Sequence, residues 1–126
     1  MADYLHNDVY DTGLSQLTSI VENLYICSSM PTTFTEASVT FKLGTKAAPT
    51  ITGPTDRGAG GGREVTVGAI SDGSISATGN AGYFALTDDS LSKLLAAGDL
   101  ATAQDVTSGN PFTLTSFTIG IPAPTT

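Results

Sequence analysis

Short runs of alternating apolar and polar residues, separated by turn-forming residues, recur from residue 24 to residue 121 of this 126-residue chain. Successive side chains of a strand point to opposite faces of a sheet, so each alternating run predicts a strand. The runs lie at residues 24–28, 39–43, 65–67, 75–78, 83–86, 93–97, 112–114 and 117–121. Many short strands with frequent turns are typical of an antiparallel sandwich or jelly roll.

Helical spacing is found in one segment near the N-terminus. Apolar residues four, three, four and three positions apart lie on one face of a helix, and they are Tyr10, Leu14, Leu17, Val21 and Leu24. Gly13 costs such a helix about 1 kcal/mol relative to alanine, so the helix is expected to depend on packing its apolar stripe. The predicted fold class is therefore mainly β, an antiparallel β-sandwich or jelly-roll-like domain with one N-terminal helix.

The length of the chain predicts a single domain over residues 1–126, since one hydrophobic core typically occupies about 100 to 150 residues. Residues 1–24 are interpreted as an N-terminal arm and helix, 25–121 as the β-sandwich, and 122–126 as an extended, proline-containing tail. The arm and the tail are expected to contact neighbouring subunits. The tail is nearly uncharged, and attachment is expected to use apolar and backbone contacts with little contribution from the five basic residues.

Local patterns add four expectations about the chain path. Thr33 followed by Glu36 resembles a capping box and predicts a helical turn within residues 32–38. Prolines and glycines predict a long loop over residues 47–62, and Asp72-Gly73 is a favoured hairpin dipeptide that predicts a turn between two strands. One core is predicted from the apolar members of the runs, namely Val39, Phe41, Val65, Val67, Ile75, Phe84, Leu86, Leu114, Phe117 and Ile119.

The charge distribution excludes two classes of partner. The net charge is −7, and the five basic residues are scattered, so the cluster of Lys and Arg that binds nucleic-acid phosphates is missing. An anionic membrane surface would repel the chain, and its apolar runs are much shorter than the roughly 20 residues that span a bilayer. The first ten residues lack the pattern of a secretory signal, so synthesis in the cytoplasm is expected.

Candidate residues for chemistry are few, and each has a structural interpretation that is preferred. His6 is the one histidine, and a catalytic triad would have to use it. The glycines at positions 58–62 lack the Lys-Ser or Lys-Thr of a phosphate-binding loop, because Arg63 opens a strand there. Asp88 and Asp89 offer oxygen ligands without a calcium-binding loop around them, and a hydrated turn is preferred. No catalytic, cofactor-binding or metal-binding residue is predicted, and the chain is not expected to be an enzyme.

Cys27 is the single cysteine, so no disulfide forms within the chain. Its apolar neighbours Leu24, Ile26 and Met30 favour an inert buried thiol. A disulfide between two chains is the alternative.

The second half of the chain resembles small structural proteins of tailed bacteriophages. The resemblance rests on residues 61–67 (GGREVTV), 83–88 (YFALTD), 93–98 (KLLAAG) and 107–122 (TSGNPFTLTSFTIGIP). It extends more faintly to the N-terminal helix, to residues 26–28 (ICS) and to 31–33 (PTT). These are patterns of strands and turns without a catalytic signature. They imply a virion protein that oligomerises on the particle and whose partners are other virion proteins.

The resemblance leaves two locations on the particle open. A head decoration or cement protein, bound to the major capsid protein on the outer capsid surface, is preferred because small size, acidity and β structure all fit. The alternative is a neck, tail or fibre module that acts as an adaptor or binds a receptor, with Tyr4, Tyr10, Tyr25 and Tyr83 available to stack on sugars. A cell-wall hydrolase is a third hypothesis, for which the sequence offers no active site.

Overall fold

The computed structural model describes residues 7–58 and 61–121, with side chains from residue 12 onward. The described chain is mainly β-strand with a single α-helix, and every strand pair is antiparallel. The predicted fold class is confirmed at this level. His6 and the tail 122–126 lie outside the described residues, as does most of the predicted arm.

The helix α1 spans Asn7–Ile20 and is followed by the nine strands of the described chain. These are β1 Asn23–Cys27, β2 Lys42–Ala47, β3 Ile51–Asp56, β4 Arg63–Val67, β5 Ile70–Ile75, β6 Gly79–Asp88, β7 Lys93–Val106, β8 Pro111–Leu114 and β9 Phe117–Ile121. A π-helical turn, Glu36–Thr40, precedes β2, and a 3₁₀ turn, Asp89–Leu91, joins β6 to β7. Strands predicted at 83–86, 93–97, 112–114 and 117–121 are confirmed, the first two within longer strands.

The chain divides into two compact units, each with its own sheet. One unit contains α1 and a three-stranded sheet in the order β3-β4-β9. The other contains a six-stranded sheet in the order β7-β6-β1-β2-β5-β8. The single domain expected from chain length stays a prediction.

The strand β1 lies inside the six-stranded sheet and pairs with β2 on one side and β6 on the other. Leu24, Ile26 and Cys27 are fully buried, so both faces of the strand are in use, as the sequence predicted. The predicted helix extended to Leu24, and this extent is wrong because α1 ends at Ile20. Pairing on both edges gives Leu24 ladder bonds and full burial, which one further helical turn would not provide.

The capping pattern at Thr33 is confirmed, although the helical turn lies slightly later than expected. Thr33 Oγ1 accepts a hydrogen bond from the Glu36 backbone N–H at 3.1 Å, and Glu36 Oε1 accepts one from the Thr32 N–H at 2.8 Å. Because this turn continues to Thr40, the strand predicted over 39–43 is wrong for its first three residues, and β2 begins at Lys42. Val39 is therefore 69% exposed and not part of a core.

The loop predicted over residues 47–62 is wrong, because β3 lies within it and pairs with β4. Pro54 occupies this strand at a register shift between Thr52 and Thr55. Prolines are tolerated in edge strands and at bulges, and β3 is an edge strand. The sequence rule that treats proline and glycine as loop residues fails here for that reason.

The hairpin predicted at Asp72-Gly73 is also wrong, since both residues lie inside β5. Gly73 is directly opposite Phe112 of β8, and a Cβ at position 73 would lie 2.1 Å from Phe112 Cε1. Glycine is required here to leave room for the aromatic ring. The strands β4 and β5, predicted as partners, belong to different sheets.

The predicted core is confirmed in part. Val65 and Val67 are buried in the three-stranded sheet, while Ile75, Phe84 and Leu86 are buried in the six-stranded sheet. Other predicted members are only partly buried, namely Phe41, Leu114, Phe117 and Ile119. The prediction missed Phe112, which is 2% exposed.

Replacing Phe112 with alanine should destabilise the protein by about 3 to 5 kcal/mol, because a fully buried ring is lost and Gly73 cannot fill the space. Thr113→Ala, on the exposed face of the same strand, is the matched control and should cost less than about 1 kcal/mol. Urea unfolding monitored by circular dichroism measures both. A loss below about 1 kcal/mol for Phe112→Ala would contradict this account of the β5–β8 contact.

Candidate functional site

The Asp88-Asp89 pair forms the turn expected from the sequence, but its carboxylates are engaged with the protein. The Asp88 side chain caps the 3₁₀ turn by accepting a hydrogen bond from the Leu91 N–H at 3.3 Å. Asp89 accepts hydrogen bonds from the Tyr25 hydroxyl at 2.6 Å and from the Thr87 hydroxyl. Asp88 is only 6% exposed, so the expectation of a hydrated turn is wrong for this residue.

A third carboxylate, Glu22, fixes the same turn from the start of β1. It accepts hydrogen bonds from the Ser90 backbone N–H at 2.6 Å and from the Ser90 hydroxyl at 3.0 Å. The backbone bond from Ser90, followed by its hydroxyl, lowers the pKa of Glu22. Burial disfavours the charge on Asp89, but the bonds from Thr87 and Tyr25 outweigh it and lower its pKa. These carboxylates hold the β6–β7 connection against β1, which is a structural role.

The folded protein should lose stability in acid because of this cluster. The pKa values of Glu22 and Asp89 lie below their ordinary 4.5 and 3.8, so the unfolded chain binds protons first as the pH falls. Their contribution is present above the unfolded pKa and is lost as the pH falls through the lower folded pKa. Asp89→Asn should therefore flatten the decrease in unfolding free energy as the pH falls below about 5. Equal pH profiles for Asp89→Asn and the parent protein would contradict the role of the cluster.

Cys27 is buried, as the sequence predicted. Its side chain is fully inaccessible, and its Sγ donates to the Ala37 carbonyl oxygen at 3.7 Å. Burial raises the pKa of the thiol to about 11, so little thiolate exists near neutral pH. A disulfide between two folded chains would require the π-helical turn over Cys27 to open.

The glycine segment forms the turn between β3 and β4, with residues 59–60 outside the described part. The Arg57 N–H donates to the Gly62 carbonyl at 3.0 Å, and the Arg57 guanidinium donates to the Gly61 carbonyl at 3.2 Å. Gly61 and Gly62 have positive φ angles of 70° and 93°, which favour glycine. Arg63 opens β4, as predicted. The Arg57 guanidinium is thus bound to a carbonyl group of its own hairpin.

The tyrosines do not form a sugar-stacking surface in the described chain. Tyr25 is 7% exposed with its hydroxyl on Asp89, so the expectation that it stacks on sugars is wrong. Tyr83 packs against the buried cluster that contains Tyr25 and Cys27. Tyr4 and the Tyr10 side chain lie outside the described residues.

An open polar cleft of about 530 Å³ lies beside β5 and the segment that leads into β8. Ser71, Asp72 and Ser74 line one side, and Gly109 and Asn110 line another. The Asp72 carboxylate is 3.0 Å from Lys46 Nζ in an ion pair. Sequence reasoning missed this cleft because it assigned Asp72-Gly73 to a turn.

Exposed apolar side chains flank the π-helical turn of the six-stranded unit. Met30 and Val39 are 40% and 69% exposed, and both lie on the segment that leaves β1 at Ser28 and returns at Phe41. The Ser28 N–H donates to the Phe41 carbonyl at 3.0 Å and closes this segment. We name Met30, Val39 and the turn between them the apolar turn surface. Val39 was assigned to a strand, so the sequence did not reveal this surface.

No three His, Cys, Asp or Glu side chains of the described chain are grouped to hold a metal ion. No described helix has the length and hydropathy needed to cross a membrane. The candidate binding sites of the described chain are the apolar turn surface and the polar cleft.

Comparisons with known protein families, curated proteins and solved structures find no match to this chain.

Proposed function

We propose that the chain is a non-catalytic structural protein of a bacteriophage virion, and specifically a head decoration or cement protein that binds the major capsid protein on the outer capsid surface. The observation that carries this proposal is the exposure of Val39 and Met30 on one closed segment. Exposed apolar side chains that lie together mark interaction sites, and we infer that Met30 and Val39 belong to such a site. The resemblance of residues 61–67, 83–88, 93–98 and 107–122 to phage structural proteins gives the class of partner.

The engagement of the reactive groups supports a role in binding over a role in catalysis. The carboxylates of Glu22, Asp88 and Asp89 accept hydrogen bonds that fix one turn. The Cys27 thiol is buried, and its raised pKa disfavours the nucleophilic thiolate. Catalytic acids, bases and nucleophiles need access to a substrate, and these groups are used inside the fold.

The charge pattern supports attachment through apolar and backbone contacts. Lys46 forms an ion pair with Asp72, and Arg63 forms one with Asp56. Contacts between isolated exposed charges are weak and are screened by salt. Attachment to a particle is therefore expected to persist at moderate ionic strength.

A neck, tail or fibre module that binds a receptor is the second candidate, and the polar cleft favours it. Ser71, Asp72, Ser74 and Asn110 present hydroxyl, carboxylate and amide groups, which suit the hydroxyls of a carbohydrate. The described lining contains no aromatic ring for a sugar to stack on. The decoration hypothesis is preferred for that reason.

The number of copies per particle separates the two candidates. A decoration protein repeats with the capsid lattice and should be present in hundreds of copies, whereas an appendage module should number a few dozen at most. Quantitative mass spectrometry of purified particles, with the major capsid protein as internal standard, measures the ratio. A few dozen copies or fewer would overturn the decoration assignment, and absence from particles would overturn the virion assignment.

Replacing both Met30 and Val39 with serine should weaken binding to particles stripped of this protein, because the apolar contact is lost while the fold is kept. The expected loss is roughly tenfold to a hundredfold in affinity, as for truncation of central interface residues. Leu91→Ser is the matched control, since Leu91 is 63% exposed on the 3₁₀ turn, away in sequence from this segment. Unchanged affinity of the double variant in a co-sedimentation assay would show that another surface mediates attachment.

A further inference from the structure

The strand β9 has an edge that lacks the usual protection against pairing with another strand. It lies at the end of the sheet order β3-β4-β9, and no described strand pairs with its second edge. All five of its residues, Phe117–Ile121, pair with β4 in one uninterrupted register. The strand contains no proline, no charged residue and no bulge. Natural proteins place such features on edge strands to prevent pairing.

The other three sheet edges of the described chain do carry such protection. The edge strand β3 contains Pro54 and a register shift, and β8 is four residues long and begins with Pro111. The long edge strand β7 has two register shifts against β6, between Ala81 and Tyr83 and between Leu86 and Thr87. Bulges twist an edge and disrupt the row of backbone groups that another chain would use. Of the four described edge strands, β9 is therefore the one that has no proline, bulge or register shift.

The side chains of β9 continue the apolar face of its sheet. Ile119 is opposite Val65, and Ile121 lies on the same face, while Thr118 and Gly120 lie on the other face. Val65 and Val67 are fully buried, but Ile119 is half-buried and Ile121 is 37% exposed. The helix α1 contacts β3 and β4, and a Cβ on Gly13 would lie 3.9 Å from Ile121 Cδ1. The apolar face therefore reaches the edge of the sheet, where Ile119 and Ile121 remain partly accessible.

We propose that β9 pairs antiparallel with β9 of a second copy of this chain, around a two-fold axis at Ile119. Two residues that lie directly opposite each other in an antiparallel pair point to the same face of the sheet. The apolar faces of the two copies therefore join only when odd-numbered residues of one β9 lie opposite odd-numbered residues of the other. Centring the pair on Ile119 satisfies this condition and uses all five residues. Ile119 then opposes its own copy, Thr118 opposes Gly120, and Phe117 opposes Ile121.

A second copy suits this edge for reasons of symmetry and charge. The pattern Phe-Thr-Ile-Gly-Ile alternates apolar and small residues symmetrically about Ile119, so the same patch complements itself in a two-fold contact. The five residues of β9 carry no charge, and the charged side chain of Arg57 lies against the strand, where its Cδ would lie 3.0 Å from a Cβ on Gly120. Five residues bury less than the roughly 800 Å² per partner of a stable interface, so the pairing is weak in dilute solution and forms at high local concentration.

Cysteine cross-linking of the full chain tests the register. Ile119→Cys should give a disulfide-linked dimer about tenfold faster than Thr118→Cys, because only position 119 opposes itself. Random collision predicts the reverse order, since Thr118 is exposed and Ile119 is half-buried. Thr52→Cys on the protected edge β3 is a further control, and the buried Cys27 remains in every variant. Cross-linking of Ile119→Cys that is no faster than that of Thr118→Cys or Thr52→Cys overturns the proposal.

A charge on the edge gives a second test that does not depend on oxidation. Thr118→Lys should weaken self-association by about tenfold, because lysine on an edge strand opposes pairing. Thr66→Lys is matched, since Thr66 is opposite Thr118 on the central strand β4. Sedimentation equilibrium at high protein concentration measures both, and circular dichroism confirms folding. Self-association that is absent in the parent chain, or unchanged by Thr118→Lys, overturns the pairing, and neither result bears on whether the chain is a virion protein.

Discussion

The pairing of β1 on both edges and its burial on both faces is the constraint on which the six-stranded unit depends. Leu24 and Ile26 are fully inaccessible on one face of a strand that bonds to β2 and β6, and Tyr25 and Cys27 are buried on its other face. Polar backbone groups are buried at low cost only when they are paired, so this strand fixes both neighbours. Gly44 follows from it, because a Cβ there would lie 3.2 Å from Ile26 Cγ1 and 2.7 Å from the Ser74 carbonyl oxygen.

Sequence patterns predicted strands well where one face is buried and the run ends at a turn. The run at 117–121 shows this, since the half-buried Phe117 and Ile119 alternate with the exposed Thr118 and Gly120. The run at 83–86 is buried on both faces, because it lies in a strand that pairs on both edges. Prediction failed where the decisive contact is distant in sequence. Gly73 and Pro54 have the composition of turns, but the Phe112 ring requires the first and the edge position of β3 tolerates the second. Rules that consider only neighbouring residues in the sequence include neither the Phe112 ring nor the edge position of β3.

The candidate sites were less predictable than the fold, for a related reason. The sequence correctly indicated a buried Cys27 and a turn at Asp89, because apolar neighbours and turn residues are local signals. It did not indicate that Asp89 binds Tyr25, which lies 64 positions away. The exposure of Val39 was hidden because an alternating run extends to Leu43, while the capped turn at Thr33 overrides its first residues.

Surface charge and sheet edges are connected in this protein. With charged residues at only 13% of the chain, electrostatic repulsion gives little protection against association. Three of the four described edges are protected instead by backbone features, namely Pro54 in β3, Pro111 in β8 and the register shifts of β7. A weakly charged surface remains free to make apolar contacts at the turn that carries Val39, while pairing along these edges is prevented. At these edges of the described chain, protection against strand pairing therefore comes from backbone geometry and not from surface charge.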